Sequence, residues 1–298
     1  MTDISDDQLL EFNRQGFVPG PGEADASFLD RVRRCLHFSN NLSEYLKRES
    51  FDFPFKEADI VPIEVRHKAI SKAAQAFDVD PQWVPAFYSN KGLAPWHGGG
   101  AWIFSDDEGP LALFQLRESF RYSPRYLGLY DVDEIFAHEA VHVGRMAFEE
   151  PRYEEIFAYK TAKSKVRQWL GPLVQSSTEA LVFVCVILVL TMLDVWLLFS
   201  DSLSILSFAL WLKLVPVGMI CFALLRLAFL KRALARSLKR LREIVIKPSA
   251  VLPVAYRLTD KEIGSFSSMS AEEISAYALR EKGRSLRWRL LCLAYLKP

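Results

Sequence analysis

Apolar and polar positions divide the chain into stretches with one apolar face and a single region that is apolar all round. Over residues 1–79 apolar side chains recur at helical spacing, as in FLDRVRRCLHF and VRHKAISKAAQAF, with a turn at GFVPGPGE. Three shorter runs, 83–89, 101–104 and 111–116, read as strands. SDDEGP between the last two has the composition of a turn, which predicts a hairpin. A helix follows over 131–148, with Asp131 as its cap and Glu134 three residues on, as in a capping box. Glu-Glu-Pro at 149–151 ends it. Pro151 is placed to start another helix, running to Gly171-Pro172. The last fifty residues predict a capped helix over 269–281 and a basic, aromatic one over 285–296.

The all-round apolar region begins at residue 180. ALVFVCVILVLTMLDVWLLF would span roughly 30 Å as a helix, about the thickness of a hydrocarbon core. After SDSLS a second run, 205–230, carries Lys213, Pro216 and Arg226. Two such runs in succession predict a transmembrane hairpin. Lys160, Lys163, Lys165 and Arg167 precede it, Lys231, Arg232, Arg236, Lys239, Arg240 and Arg242 follow it, and the connecting loop has no basic residue. The positive-inside rule then puts both termini in the cytoplasm, and a bacterial inner membrane is the expected location. Asp194 and Lys213 are placed to pair across the hairpin or to reach the outer headgroups separately, and Arg226 to snorkel to the inner interface. The basic stretch 231–242 reads as an inner-leaflet contact.

Charge sharpens this division. The 298 residues carry 37 Lys/Arg and 36 Asp/Glu, yet residues 1–150 hold 15 basic and 25 acidic side chains, and residues 151–298 hold 22 and 11. Such asymmetry fits one half in solution and one at an anionic surface. The four cysteines form no CxxC pair, so no disulfide scaffold is expected, and the acidic start MTDISDDQLLEF does not read as a secretory leader. A lipid bilayer is the expected partner, and nucleic acid is not.

Residues 138–142 read His138-Glu139-Ala140-Val141-His142. On a helix, two imidazoles four residues apart project from one face and can chelate a single ion, while the intervening Glu139 is next to the first histidine, where its carboxylate reaches a metal-bound water. A third ligand must come from elsewhere. Glu149 and Glu150 sit at the helix break, where a solvated turn is expected, and Glu154 and Glu155 fall in the first turn of the next helix, where their charge also suits the helix dipole.

With a small sheet before it and a carboxylate-bearing helix after it, HEAVH resembles the zincin metallopeptidases, in particular the glutamate-liganded gluzincins, over roughly residues 65–170. The resemblance implies a Zn2+ held by His138, His142 and a glutamate of the second helix, with Glu139 as general base. Glu155-Ile156-Phe157-Ala158-Tyr159 matches the gluzincin layout of a ligand glutamate followed three residues later by alanine and then a polar residue. That favours Glu155 over Glu154 as ligand and gives Tyr159 the position of a group that orients the first histidine. A rival assignment comes from membrane-embedded stress-response and CAAX-processing zinc proteases, in which a hairpin separates HExxH from its glutamate. Glu243 would then be the ligand, although the alanine-aspartate those families place after it is missing.

The expected architecture is α+β. A helical region over 1–64 precedes a zincin-like catalytic core over 65–171, built of helices and a short, mostly antiparallel sheet; a transmembrane hairpin over 178–230 and a basic helical region over 231–298 follow. The expected function is a membrane-anchored zinc endopeptidase cleaving peptide or protein substrates at the cytoplasmic face, the alternative being a non-catalytic zinc-binding regulatory or scaffold protein. Substrate is expected along 101–117. Tyr126, Tyr130 and Tyr153 are candidates to stabilise an oxyanion. His97 is expected in a loop bordering the cleft, His37 and His67 stand far from the motif in sequence, and Arg145 is expected to pair with Glu154 or Glu149.

Overall fold

The computed structural model describes residues 4–47, 55–106, 109–128, 130–199 and 209–297. Helices α1 (Asp6–Arg14), α2 (Asp25–Asn40), α3 (Leu42–Tyr45) and α4 (Ile63–Phe77) come first. Ser5 and Gln8 form a complete capping box at the start of α1, and the chain turns between α1 and α2 where GFVPGPGE predicts it.

The strands are β1 (Ala86–Tyr88), β2 (Gly99–Asp106) and β3 (Gly109–Leu116), in the order β1-β3-β2. β2 and β3 pair antiparallel, Ala101 opposite Phe114 and Phe104 opposite Leu111, as the hairpin reading requires. β1 pairs with β3 in parallel, Ala86 opposite Phe114, so the sheet is mixed. Side chains alternate across its faces. Phe104 meets Phe38 of α2 on one face, and Phe114 meets Phe136 edge-on at 5.8 Å on the other. The sheet is therefore covered on both sides, and β1 and β2 are its edge strands, β1 being bridged on its outer side by Ile60 to Phe87. A two-residue pair, β4 (Arg125–Tyr126) with β5 (Tyr130–Asp131), leads into α5 (Val132–Gly144).

α5 forms where the sequence predicts a helix but ends at Gly144, with a turn over 145–148, and its cap differs too. The Asp131 carboxylate accepts the Asp133 N–H, but Glu134 reaches Arg167 (3.0 Å) instead of closing a capping box. The helix expected over 151–171 is broken into α6 (Glu154–Ala158), a 3-10 turn over 159–161 and α7 (Lys165–Leu170). Thr161 donates to the Ala158 carbonyl at the break, and Gly171 lies against the ring of Tyr159 in space no side chain could share.

α8 (Ser177–Leu197) and α9 (Leu214–Ile244) are the hairpin, two helices long and apolar enough to cross a membrane; the second continues an apolar stretch from Ala209. The connecting residues 200–208 lie outside the described residues. Lys213 Nζ sits 2.9 Å from Asp194 Oδ1, so of the two placements open to this pair the structure shows the one across the hairpin. Arg226, expected to snorkel, pairs with Glu179 at 2.5 Å and donates to the Leu173 carbonyl.

α9 continues well past the apolar span into four short helices, α10 (Val251–Tyr256), α11 (Asp260–Phe266), α12 (Ala271–Lys282) and α13 (Leu286–Ala294). They turn back onto the N-terminal part. α10 packs on α4, which itself packs on α5, and α13 packs on α1. Arg257, fully buried, donates to Asn13 and to the carbonyls of Phe77 and Asp78. One core thus runs from Ile4 to Leu296, and residues 1–64, 65–171 and 231–298 all contribute to it.

Candidate metal centre

Val132, Ile135, Phe136, Ala140, Val141 and Val143 turn one face of α5 into the core, which leaves Glu134, His138 and His142, four residues apart, on a common stripe beside the cleft. His138 Nε2 and His142 Nε2 stand 3.2 Å apart. From the first turn of α6, Glu155 brings Oε2 to 3.5 Å from His138 Nε2 and Oε1 to 3.5 Å from His142 Nε2. Among the described residues these three make up the only such group able to hold a metal ion. A four-coordinate ion bonded at about 2.0–2.1 Å to nitrogen and oxygen needs its ligand atoms roughly 3.3–3.4 Å apart. The two nitrogens stand close to that spacing, and each has a different oxygen of Glu155 at 3.5 Å.

Glu154 has a different part from the one the sequence offered it. Its Oε1 lies 2.9 Å from His142 Nδ1, on the far side of the ring from Glu155. A carboxylate at this nitrogen accepts, so the imidazole donates Nδ1–H to Glu154 and turns its Nε2 toward the site. Consecutive residues on a helix point about 100° apart. That is why Glu154 and Glu155 reach opposite nitrogens of one ring.

The electrostatics fit a cation. Burial pushes His138 well below the ordinary histidine range, and the charges of His142 and Arg167 push the same way, which keeps this ring neutral. His142 is held up at about 9: burial opposes its charge, but the Glu154 hydrogen bond and the Glu155 and Glu139 carboxylates outweigh it. Burial, resisted by the His142 charge, lifts Glu155 to about 7 and Glu139 above the usual carboxylate range. Three carboxylates converging on two imidazoles leave an excess of negative charge that a bound cation relieves.

Glu139 stands beside the donors and outside their group. Its Oε2 accepts the Ala101 N–H of β2 at 2.8 Å, tying helix to edge strand, and the residue borders the cleft. The approach is close because Gly98 and Gly99 lie against Ile135, where a Cβ would collide. The cleft itself measures about 160 Å³ and is bordered by His97, Tyr130, Tyr159 and Arg167 as well as His138 and Glu139.

Tyr159 packs its ring edge-on to His138 at 4.7 Å, and burial together with the Glu155 charge lifts its phenol to about 12. Of the three tyrosines proposed for an oxyanion, Tyr130 borders the cleft, Tyr126 donates its hydroxyl to the Pro95 carbonyl, and Tyr153 is buried. Arg145 pairs with neither Glu154 nor Glu149. It donates to the carbonyls of Tyr256 and Leu258, stacks on Phe148, and has Glu150 3.9 Å away. Glu150 also accepts the Asp260 N–H, so it is held in the C-terminal packing and is not a free turn residue.

Glu243 lies near Arg240, beside a groove with Ser275 and Cys292, and is not among the converging donors. His37 contacts Tyr45, and His67 is exposed on α4. Sequence reasoning missed Arg167 and Glu134 in the cleft wall. The signal was present for Glu134, whose spacing from His138 is that of His138 from His142.

Compared with family models, with curated proteins and with solved structures, the chain matches none.

Proposed function

We propose that this chain is a zinc-dependent endopeptidase of zincin-like design, anchored in a membrane by its helical hairpin. The observation that carries the reading is the spacing of His138, His142 and Glu155 at 3.2–3.5 Å, with a fourth group, Glu139, held next to them but outside the set. Two imidazoles and a carboxylate suit zinc, with one position left open. When bound there, zinc supplies Lewis acidity, which lowers the pKa of water and polarises a scissile carbonyl.

The protein's own groups do the rest. Glu154 takes the Nδ1–H of His142 and fixes the ring with Nε2 inward. Glu139 Oε1 is the atom that accepts a proton from attacking water, because Oε2 already holds the Ala101 amide. Burial makes that carboxylate a stronger base than an exposed glutamate. An extended substrate would lie along the edge strand β2, where main-chain hydrogen bonds give affinity with little sequence selectivity. The basic residues flanking the hairpin support a cytoplasmic position for the metal site.

A non-catalytic zinc protein is the second reading, and the Ala101–Glu139 hydrogen bond favours it by giving Glu139 a structural task. One experiment separates the two. Full-length protein in detergent should hold about one zinc, lost in His138→Ala and His142→Ala. Glu139→Gln should keep the zinc and the fold but cut peptide hydrolysis by roughly 10²–10⁴-fold. Undiminished hydrolysis in that variant would exclude Glu139 as the base.

A further inference from the structure

A second groove, of about 360 Å³, lies at the root of the hairpin between α6, α7 and the part of α9 just past its apolar span. Ile156, Leu234 and Leu238 make an apolar floor, and Lys160, Lys165 and Lys231 stand around it. No carboxylate lines it. Lys231 donates to the carbonyls of Gln168 (3.1 Å) and Trp169 (2.6 Å) and lies 5.6 Å from the Trp169 ring centre, so backbone oxygens aim its ammonium without neutralising it. Lys160 and Lys165 have no ion-pair partner among the described residues. Nearby, Lys163 has Asp131, Arg167 has Glu134 and Arg226 has Glu179. Three cations without a carboxylate partner thus stand around one apolar floor.

The setting specifies the ligand. Val166, Trp169, Leu170 and Val174, exposed at 65%, 61%, 38% and 48%, form an apolar strip from the groove to the start of α8. Tryptophan and lysine at the end of an apolar span mark the headgroup level of a bilayer. We propose that this groove seats the phosphate of one anionic phospholipid among Lys160, Lys165 and Lys231, with the lipid's apolar part on the Ile156–Leu234–Leu238 floor. The inference rests on the hairpin spanning a bilayer. It also touches the metal site: Glu155 faces the histidines and the next residue, Ile156, forms the floor, so a lipid there braces the turn that carries the third carboxylate.

The test uses the full chain in detergent, titrated with phosphatidylglycerol or phosphatidylcholine and read by native mass spectrometry. One phosphatidylglycerol should be retained selectively. Lys160→Gln/Lys165→Gln should weaken it roughly tenfold or more, while Arg236→Gln/Lys239→Gln, which removes equal charge from α9 outside the groove, should leave it within about twofold. Equal weakening in both double variants, or in neither, would overturn the site. So would displacement of the lipid by inorganic phosphate, which would make the ligand a soluble anion. Alkaline carbonate extraction of membranes checks the anchor separately. A chain that resists extraction but shows no lipid selectivity refutes the groove alone, and a chain that is extracted refutes the hairpin reading beneath it.

Discussion

The hydroxyl of Tyr256 donates to the main-chain carbonyl of Val141 at 2.6 Å, joining the residue between Ala140 and His142 to a helix 115 positions further along the chain. Tyr256 is fully buried, lies against Gly144, and accepts at its own carbonyl from Arg145. The segment after the hairpin is thus a support for the helix that carries His138 and His142. Tyr256→Phe removes the donor and leaves a buried carbonyl short of one partner, so it should destabilise the protein by about 1–3 kcal/mol. Thermal denaturation of the detergent-solubilised chain would show it, and an unchanged midpoint would deny the contact its weight.

A fragment ending near Gly171 keeps His138, His142 and Glu155 but loses Val254, Tyr256 and Leu258 from the core around α5. It should expose that apolar surface and fail to fold cooperatively. A cooperative unfolding transition with stoichiometric zinc in this fragment would contradict the packing described above.

From sequence, Glu154 is worth only a helix-end contribution of about 0.3–1 kcal/mol. Its contact with His142 Nδ1 gives it more. Glu154→Gln should lower metal affinity roughly 10–100-fold with the fold intact, whereas Glu155→Ala should abolish stoichiometric binding and Glu243→Ala should change nothing. Competition with a chelator of known affinity ranks the three, and a Glu154→Gln value equal to wild type would remove its positioning role.

Glu262 is buried against Arg287, with the Trp288 indole and the Thr259 N–H also donating to it. Burial alone would raise its carboxyl, but the Arg287 hydrogen bonds and charge outweigh that and hold it below the ordinary value. A depressed folded-state value contributes stability that is complete above the unfolded value, about 4.3, and is lost as pH falls through the folded one. The melting temperature should therefore drop below about pH 4. Glu262→Gln should melt lower at neutral pH and show a shallower acid slope; an identical slope would assign the acid sensitivity elsewhere.

Topology is open to labelling. A cysteine at Ser202, between the two spans, should react with an impermeant thiol reagent from outside the cell, and one at Asp107 should not. The reverse result would move the metal site to the other side of the membrane.

What could be read from the sequence was local. Two histidines at helical spacing, Glu155 a short loop away and two long apolar runs are each one-dimensional signals, and all three correspond to structure. The break of 151–171 into α6 and α7 was not legible, because nothing within that stretch forbids a continuous helix; it follows from Thr161 turning back on Ala158 and from Tyr159 packing on Gly171. The roles of Arg145 and Tyr256 were hidden for the same kind of reason. Their partners lie more than a hundred residues away, and a buried arginine that bonds to carbonyls leaves no pattern in the residues beside it.

The position of the hairpin within a single core sets an order of events during synthesis. The histidines and Glu155 leave the ribosome before either span, but Tyr256 and the helices around it emerge only after both. With the spans inserted in a bilayer, the helix that carries HEAVH gains its last supports from chain made after insertion. On that order the helix that carries His138 and His142 lacks its support at Val141 and Gly144 until the chain beyond both spans has been made.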